Sequence, residues 1–409
     1  MAQTAFQLAF SDTPVESDFY GDIVSLQVDE NSSIANTLRL KVATRLDDHG
    51  LWLYLDDIRF DLFTKVSFKV GFTGGDGLAG VLGSLGSAPG GSNDGLIPVF
   101  DGYVTSVDFD VGSEPGASAI EIGAMDTSVL MSLEEKTTTW KDVSDSDIAQ
   151  AIIAKYVTAV QADSSLTVHQ ESDTTIVQRG TDVQFVRELA QRNGMEFYFE
   201  TDQDSGSVTA YFQAPQLDAT PQPDLAVQSG DDSNLKSFAA HLTGQRPLAV
   251  KVAQIDVAQN SPNTTQVSNS QLSNLGASDA NALIAGPLGS LVTPADTQAQ
   301  MLVLGPPTSD PTEMQTIAQS VRDEASWFIS ARGEINSEAY QTVLRPHRLV
   351  LVRGAGKAYS GKYYVTRVVH ELKGDGSYVQ NFEARRNARD VDGSEQFGGG
   401  GLGLPIPGF

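Results

Sequence analysis

The sequence predicts an α+β chain that is mainly β, and three observations carry that prediction. Short runs alternate apolar and polar residues with period two along much of the chain, as strands with one buried face do. Helical periodicity is confined to a few segments with clear start and stop residues. One strand–turn–strand pattern occurs twice, near residue 100 and near residue 360, which points to two related β domains, since stacked-repeat folds need three copies or more. At 409 residues the chain also exceeds the size at which a single core stops growing, so several domains are expected.

Residues 1–130 read as β structure, with Val66–Phe72 and Tyr103–Phe109 as alternating runs between Gly and Asp turns. Residues 74–95 are rich in Gly and Ser and read as a flexible hairpin extension. An α/β segment follows over 131–215. Over Asp145–Val160 the residues Ile148, Ile152 and Tyr156 recur four apart on one face, behind Ser and Asp residues able to cap free N–H groups. A second helix opens at Thr181 with Gln184 at the capping-box position, turns Phe185, Val186 and Leu189 inward and stops at Gly194. Met195–Glu200 then reads as a strand.

Residues 216–310 read as partly β and linker-rich, because 259–311 is dominated by Ser, Asn, Thr, Gln, Gly and Pro. A third helix opens at Asp310–Pro311, carries Met314, Ile317, Ala318, Val321, Ala325 and Phe328 inward and ends near Gly333. Strands return over 347–353, 362–372 and 377–384, closing a segment over 311–390 before a Gly-rich tail over 391–409. The repeat lies in Tyr103-Val104-Thr105 with its hairpin partner Ile120–Asp126, and in Tyr364-Val365-Thr366 with Tyr378–Arg385.

Composition removes several function classes. A net charge of −25 argues against a nucleic-acid surface over most of the chain. With no cysteine, disulfides and thiolate chemistry are both excluded. His49, His169, His241, His347 and His370 are scattered without metal-ligand spacing, so neither a metal site nor a cofactor is expected. No apolar run is long enough to span a bilayer, and Met1–Phe10 lacks the pattern of a secretory signal, so assembly in a cytoplasm without a membrane anchor is expected. Between Arg345 and Arg389 ten basic residues face three acidic ones, a net +7 on an otherwise acidic chain. Such a segment reads either as a partner surface or as a solvated strand face, and Arg385, Arg386 and Arg389 are its candidate partner-facing residues.

Motifs that suggest catalysis or ligand binding fail on context. Gly356–Lys362 has the spacing of a phosphate-binding loop, but Tyr363 replaces the Ser or Thr and the following residues alternate as a strand. Gly75–Gly80 matches a dinucleotide fingerprint but leads into more glycines instead of a helix. Asp202–Gly206 resembles the start of a calcium loop, yet its twelfth position is Gln213; a hairpin turn between Glu200 and Val208 fits better. Glu134 and Glu135 are adjacent and diverge on any regular element.

Three stretches together resemble the late control D family, which comprises phage baseplate hub proteins and the N-terminal hub part of the VgrG spike. They are Val99–Val107 with Gly123–Leu130 and Val143–Ile153; Arg179–Tyr198; and Tyr359–His370 with Tyr378–Asn387. The family usually has Trp where Val183 stands, which alters packing more than identity, and the resemblance is expected to be to phage systems in which hub and spike are separate proteins. The resemblance implies two tube-like antiparallel β-barrel domains, the first over 1–130 and the second, with a helix, over 311–390. An α/β insertion over 131–215 and a long linker would separate them.

It implies a structural baseplate hub and not an enzyme: a homotrimer forming a pseudo-sixfold ring that joins the tail tube to the central spike. Expected partners are further copies of the chain, the central spike protein, and tail tube and baseplate wedge proteins. Tape measure, DNA or cargo would pass the channel without specific binding. The expected location is the virion tail baseplate or an injection particle, assembled in the host cytoplasm. The alternatives are the hub of an extracellular phage-derived contractile injection particle, a cell-wall-degrading baseplate enzyme and a surface adhesin.

Overall fold

The computed structural model describes residues 3–73, 95–114, 116–171, 175–202, 206–256, 261–285, 287, 300–304, 310–393 and 395. The extension expected over 74–95 and the tail expected over 391–409 fall almost wholly outside these. The fold is mainly β, as the alternation predicts, and centres on one 13-stranded sheet.

In the first half, β1 (Gln3–Phe10), β2 (Ile23–Asn31), β3 (Thr37–Ala43), β4 (Lys65–Thr73), β5 (Ile97–Asp110) and β6 (Ala119–Met125) all join this sheet. The middle of the chain supplies α1 (Asp145–Ile153), α2 (Asp182–Arg192), β7 (Glu196–Thr201) and β8 (Val208–Gln213). Then come β9 (Leu235–Leu242), β10 (Ala249–Asp256), β11 (Ser261–Val267), β12 (Gln300–Leu304) and α3 (Pro311–Ala325). The large sheet then takes β13 (Ile329–Asn336), β14 (Leu349–Arg353), β15 (Gly361–Lys373) and β16 (Tyr378–Arg386).

The large sheet contains one four-strand unit twice. Antiparallel pairing gives the order β2-β3-β6-β5 in the first unit, with β4 on the start of β5. The second unit has the order β9-β13-β16-β15, with β14 on the start of β15. The likeness extends to irregularities. A bulge falls between Val104 and Ser106 in β5 and between Val365 and Arg367 in β15. The extra residue is a threonine in both, and its hydroxyl donates to the partner strand, Thr105 to the Gly123 carbonyl and Thr366 to the Glu383 carbonyl, each at 3.2 Å.

Ahead of β4 and β14 the chain turns through left-handed residues, Phe63 at φ +65° and His347 at φ +61°. Their amides donate to the equivalent carbonyls of Val104 and Val365. A bulge and a left-handed corner each carry a local cost, and their recurrence at matched positions marks a duplicated unit. The units are joined in the chain where β15, over Arg367–Lys373, pairs antiparallel with β2.

Each unit has its own core. Leu8, Leu26, Leu38, Phe68, Val104 and Ile122 belong to the first; Ile335, Val350, Tyr363, Val365 and Phe382 belong to the second. A third core, holding Ile148, Ile152, Val186, Leu189, Phe197 and Phe212, closes α1 and α2 over β7 and β8. Burial of each such side chain contributes about 1.5–3 kcal/mol before entropy is counted.

The helix starts follow their capping residues. Ser144 and Thr181 each complete a capping box, with Asp147 and Gln184, and Asp310 accepts from the Thr312 amide ahead of α3. The helix ends differ from expectation. α1 stops at Ile153 instead of near Val160, because Ala159–Ala162 forms a strand parallel to β8. α3 stops at Ala325, since Ile329 already pairs with β9 and β16. Gly333 lies inside β13 and ends no helix; a Cβ there would sit 2.6 Å from the Ser237 carbonyl oxygen and 2.7 Å from the Phe382 ring. The residues read as linker over 259–311 contain β11 and β12, which flank β10 in a small sheet covered by α3 through Met314, Ile317 and Ala318.

Candidate assembly surface

The three arginines singled out by sequence have different fates. Arg386 is 0% exposed: its guanidinium donates to the carbonyls of Leu275 (3.1 Å), Ser360 (2.8 Å) and Asp390 (2.9 Å) and lies against the Tyr363 ring. It ties three chain segments together and offers no surface to a partner. Arg385 pairs with Glu324 at 2.9 Å and Glu196 at 3.2 Å, with its guanidinium 4.3 Å from the Trp327 ring centroid. Among the described residues the ion-pair partner of Arg389 is its neighbour Asp390, and its side chain is 37% exposed. Of the three, it is the one with appreciable surface.

Most arginines of the basic segment are used in the same way. Arg345 is buried against Glu30 at 2.5 Å, and His370 meets the other oxygen of that carboxylate at 2.8 Å. Burial alone would raise the Glu30 carboxyl, but the Arg345 guanidinium and His370 hold it below the usual carboxylate range. This cluster sits where β15 meets β2, so it fastens one unit to the other. Arg367 spans the same seam to Asp29 at 2.7 Å.

A second cluster fastens the insertion to the second unit. Glu196 on β7 accepts from Tyr364 at 2.5 Å, contacts His347 at 2.7 Å and pairs with Arg385. His347 stacks on Tyr198, and Arg348 pairs with Glu200. Much of the segment's charge thus neutralises carboxylates of its own chain, and of the three candidate arginines it is Arg386 that is ruled out as a contact by its burial. Partners as far as 338 residues away leave no spacing signal in the sequence.

Two open edges in the large sheet stand at matched positions of the duplicated unit. On one edge of β15, Gly361–Tyr364 pair with β14 and Arg367–Lys373 pair with β2. On the matching edge of β5, Ile97–Tyr103 pair with β4, whereas Ser106–Asp110 have no backbone partner. The outer edge of β9 likewise has none. The side chains register the difference: Val368 on β15 is 0% exposed, while its counterpart Val107 on β5 is 40% exposed. On β9, Phe238, Ala240 and Leu242 are half-buried at the margin of the second core.

Other sequence motifs resolve into structure. Gly356–Tyr359 form one helical turn that leads into β15, where Lys362 pairs with Leu351, so the phosphate-loop spacing belongs to a strand. The β7–β8 hairpin closes at Thr201 and Val208, with Glu200 paired to Thr209. Asp145 and His169 form a buried pair at 2.9 Å, but Arg192 and the Asn193 amide occupy the same carboxylate, which makes it an anchor for α1 and α2. Among the described residues no group of three or more His, Asp or Glu side chains is placed to hold a metal ion.

A family model described as the Alg8 N-terminal domain matches residues 91–374. No curated protein matches the chain in sequence. Among solved structures, the 43 kDa tail protein of prophage MuSo2 from Shewanella oneidensis is similar at a TM-score of 0.60 and 10% identity, covering 95% of this chain and 100% of that one. A tail protein from Neisseria meningitidis is similar at 0.60 and 10% identity, over 94% and 97% of the two chains. An E. coli component of the type VI secretion system, described as structurally similar to T4 bacteriophage tail proteins, gives 0.53 and 12% identity over 96% and 80%. The fold is thus shared with phage tail and type VI secretion proteins.

Proposed function

The chain belongs to the family described as the Alg8 N-terminal domain, and from its fold, shared with phage tail and type VI secretion proteins, we propose that it is a structural hub subunit of a contractile tail or injection machine. Three copies form a ring that joins the tail tube to a central spike, in the baseplate of a virion or of an extracellular injection particle. The single observation that carries this reading is the duplicated four-strand unit, matched down to its bulged threonine and left-handed corner. A ring of three such chains presents six near-equivalent units to a sixfold tube while keeping threefold symmetry for the spike.

In this reading the first tube domain is residues 1–130, and 131–215 is the insertion. The second tube domain is the 311–390 segment completed by β9. The work is mechanical, with no cofactor or metal. The acidic balance suits a channel through which nucleic acid or cargo passes without sticking. Arg389 is a candidate contact to a neighbouring protein. Mixing the purified chain with the tail-tube and spike proteins encoded beside it should give one complex holding all three, with tube and spike joined only when the chain is present. Tube and spike joining equally well without it would reject the hub assignment.

A further inference from the structure

We infer that the open edge Ser106–Asp110 of one copy pairs antiparallel with the outer edge of β9, over Ala239–Thr243, of a second copy of this chain. The inference rests on the ring reading and specifies the seam that would close the ring. The in-chain seam supplies the template. In it β15 pairs with β2 as Arg367 to Asn31, Val368 to Glu30, Val369 to Asp29, His370 to Val28 and Glu371 to Gln27. The duplicated unit maps β15 onto β5, through the shared bulge, and β2 onto β9, through their pairings with β3 and β13.

Carried across, that register sets Ser106 opposite Thr243, Val107 opposite Leu242, Asp108 opposite His241, Phe109 opposite Ala240 and Asp110 opposite Ala239. The two edges stand at opposite ends of the run β9-β13-β16-β15-β2-β3-β6-β5, with six strands between them. Pairing between copies is then head-to-tail, the kind that closes into a ring.

The chemistry of the edges fits a second copy. Val107, Phe109, Ala240 and Leu242 fall on the core-facing side, where their in-chain counterparts Val368, His370, Val28 and Glu30 are all buried. The seam within the chain is ionic, through Glu30 and His370, whereas its counterpart between copies is apolar at both positions. Solvent-facing edge strands are normally guarded by Lys, Pro or inward charges; Ala239–Thr243 contains none of these.

The absence of cysteine gives a clean test. The double variant D108C/H241C, both exposed positions, should on oxidation run as covalent dimers and trimers on a non-reducing gel. The single variants and the mismatched pair D108C/K236C, displaced by five residues or about 17 Å along the strand, should stay monomeric on the same gel. Val107→Asp should weaken self-association at least tenfold while leaving the melting temperature of the isolated chain unchanged. An oligomer that does not crosslink at 108/241, or crosslinks equally at 108/236, overturns this seam and leaves the ring reading standing. A chain that is monomeric at every concentration and crosslinks in no variant overturns both.

Discussion

Arg386 and Arg389 stand three residues apart in one basic run, yet the first is enclosed by three carbonyls and the second faces outward. Sequence placed both in a charged strand and could not tell them apart, because the carbonyls that enclose Arg386 come from Leu275, Ser360 and Asp390. A charge reversal at Arg386 therefore tests folding, and only Arg389 tests docking. Glu196 makes the same point for acids. Burial would raise its carboxyl, but His347, Arg385 and the Tyr364 hydroxyl hold it below the usual carboxylate range.

A lowered folded pKa stabilises the fold fully above the unfolded value of about 4.3, and that contribution is lost as pH falls through the folded value. Melting temperature followed from pH 6 to pH 3 should fall most steeply below about pH 4.3. Glu196→Gln should melt lower than the parent at pH 6 and lose less on acidification. An unchanged pH profile in the variant would show that Glu196 does not fasten the insertion.

At the scale of elements, what was legible was local. Helix starts are set by side chains within one turn, so Thr181 with Gln184, and Asp310 before Pro311, could be read directly. Helix ends were less legible, since α1 and α3 give way to strands whose partners are far along the chain. β11 was missed for a related reason: Ser-Pro-Asn-Thr-Thr-Gln-Val is too polar to show a buried face, and its Thr residues become a strand only against β10. Thr181→Ala should destabilise the chain by about 1 kcal/mol in denaturant unfolding, and Thr181→Ser should retain most of that stability. Equal losses in the two would mean that the hydroxyl cap is not what holds α2.

For the whole molecule, the alternation and the Tyr-Val-Thr echo at residues 103 and 364 were enough to read a mainly β chain with two related halves. They did not reach the matched bulges, the left-handed corners at Phe63 and His347, or the ion clusters that fasten the halves together. Those depend on backbone geometry and on pairs hundreds of residues apart. Nor could sequence show which edges stay open, since that depends on every other pairing being satisfied first. The ring proposed above uses the two equivalent units and joins the open stretch of β5 in one copy to the open edge of β9 in the next. The most direct measurement is the mass in solution by light scattering across a concentration series. A stable species at three times 43.6 kDa is predicted; a monomer at every concentration, or a closed assembly of another number of chains, would contradict the ring.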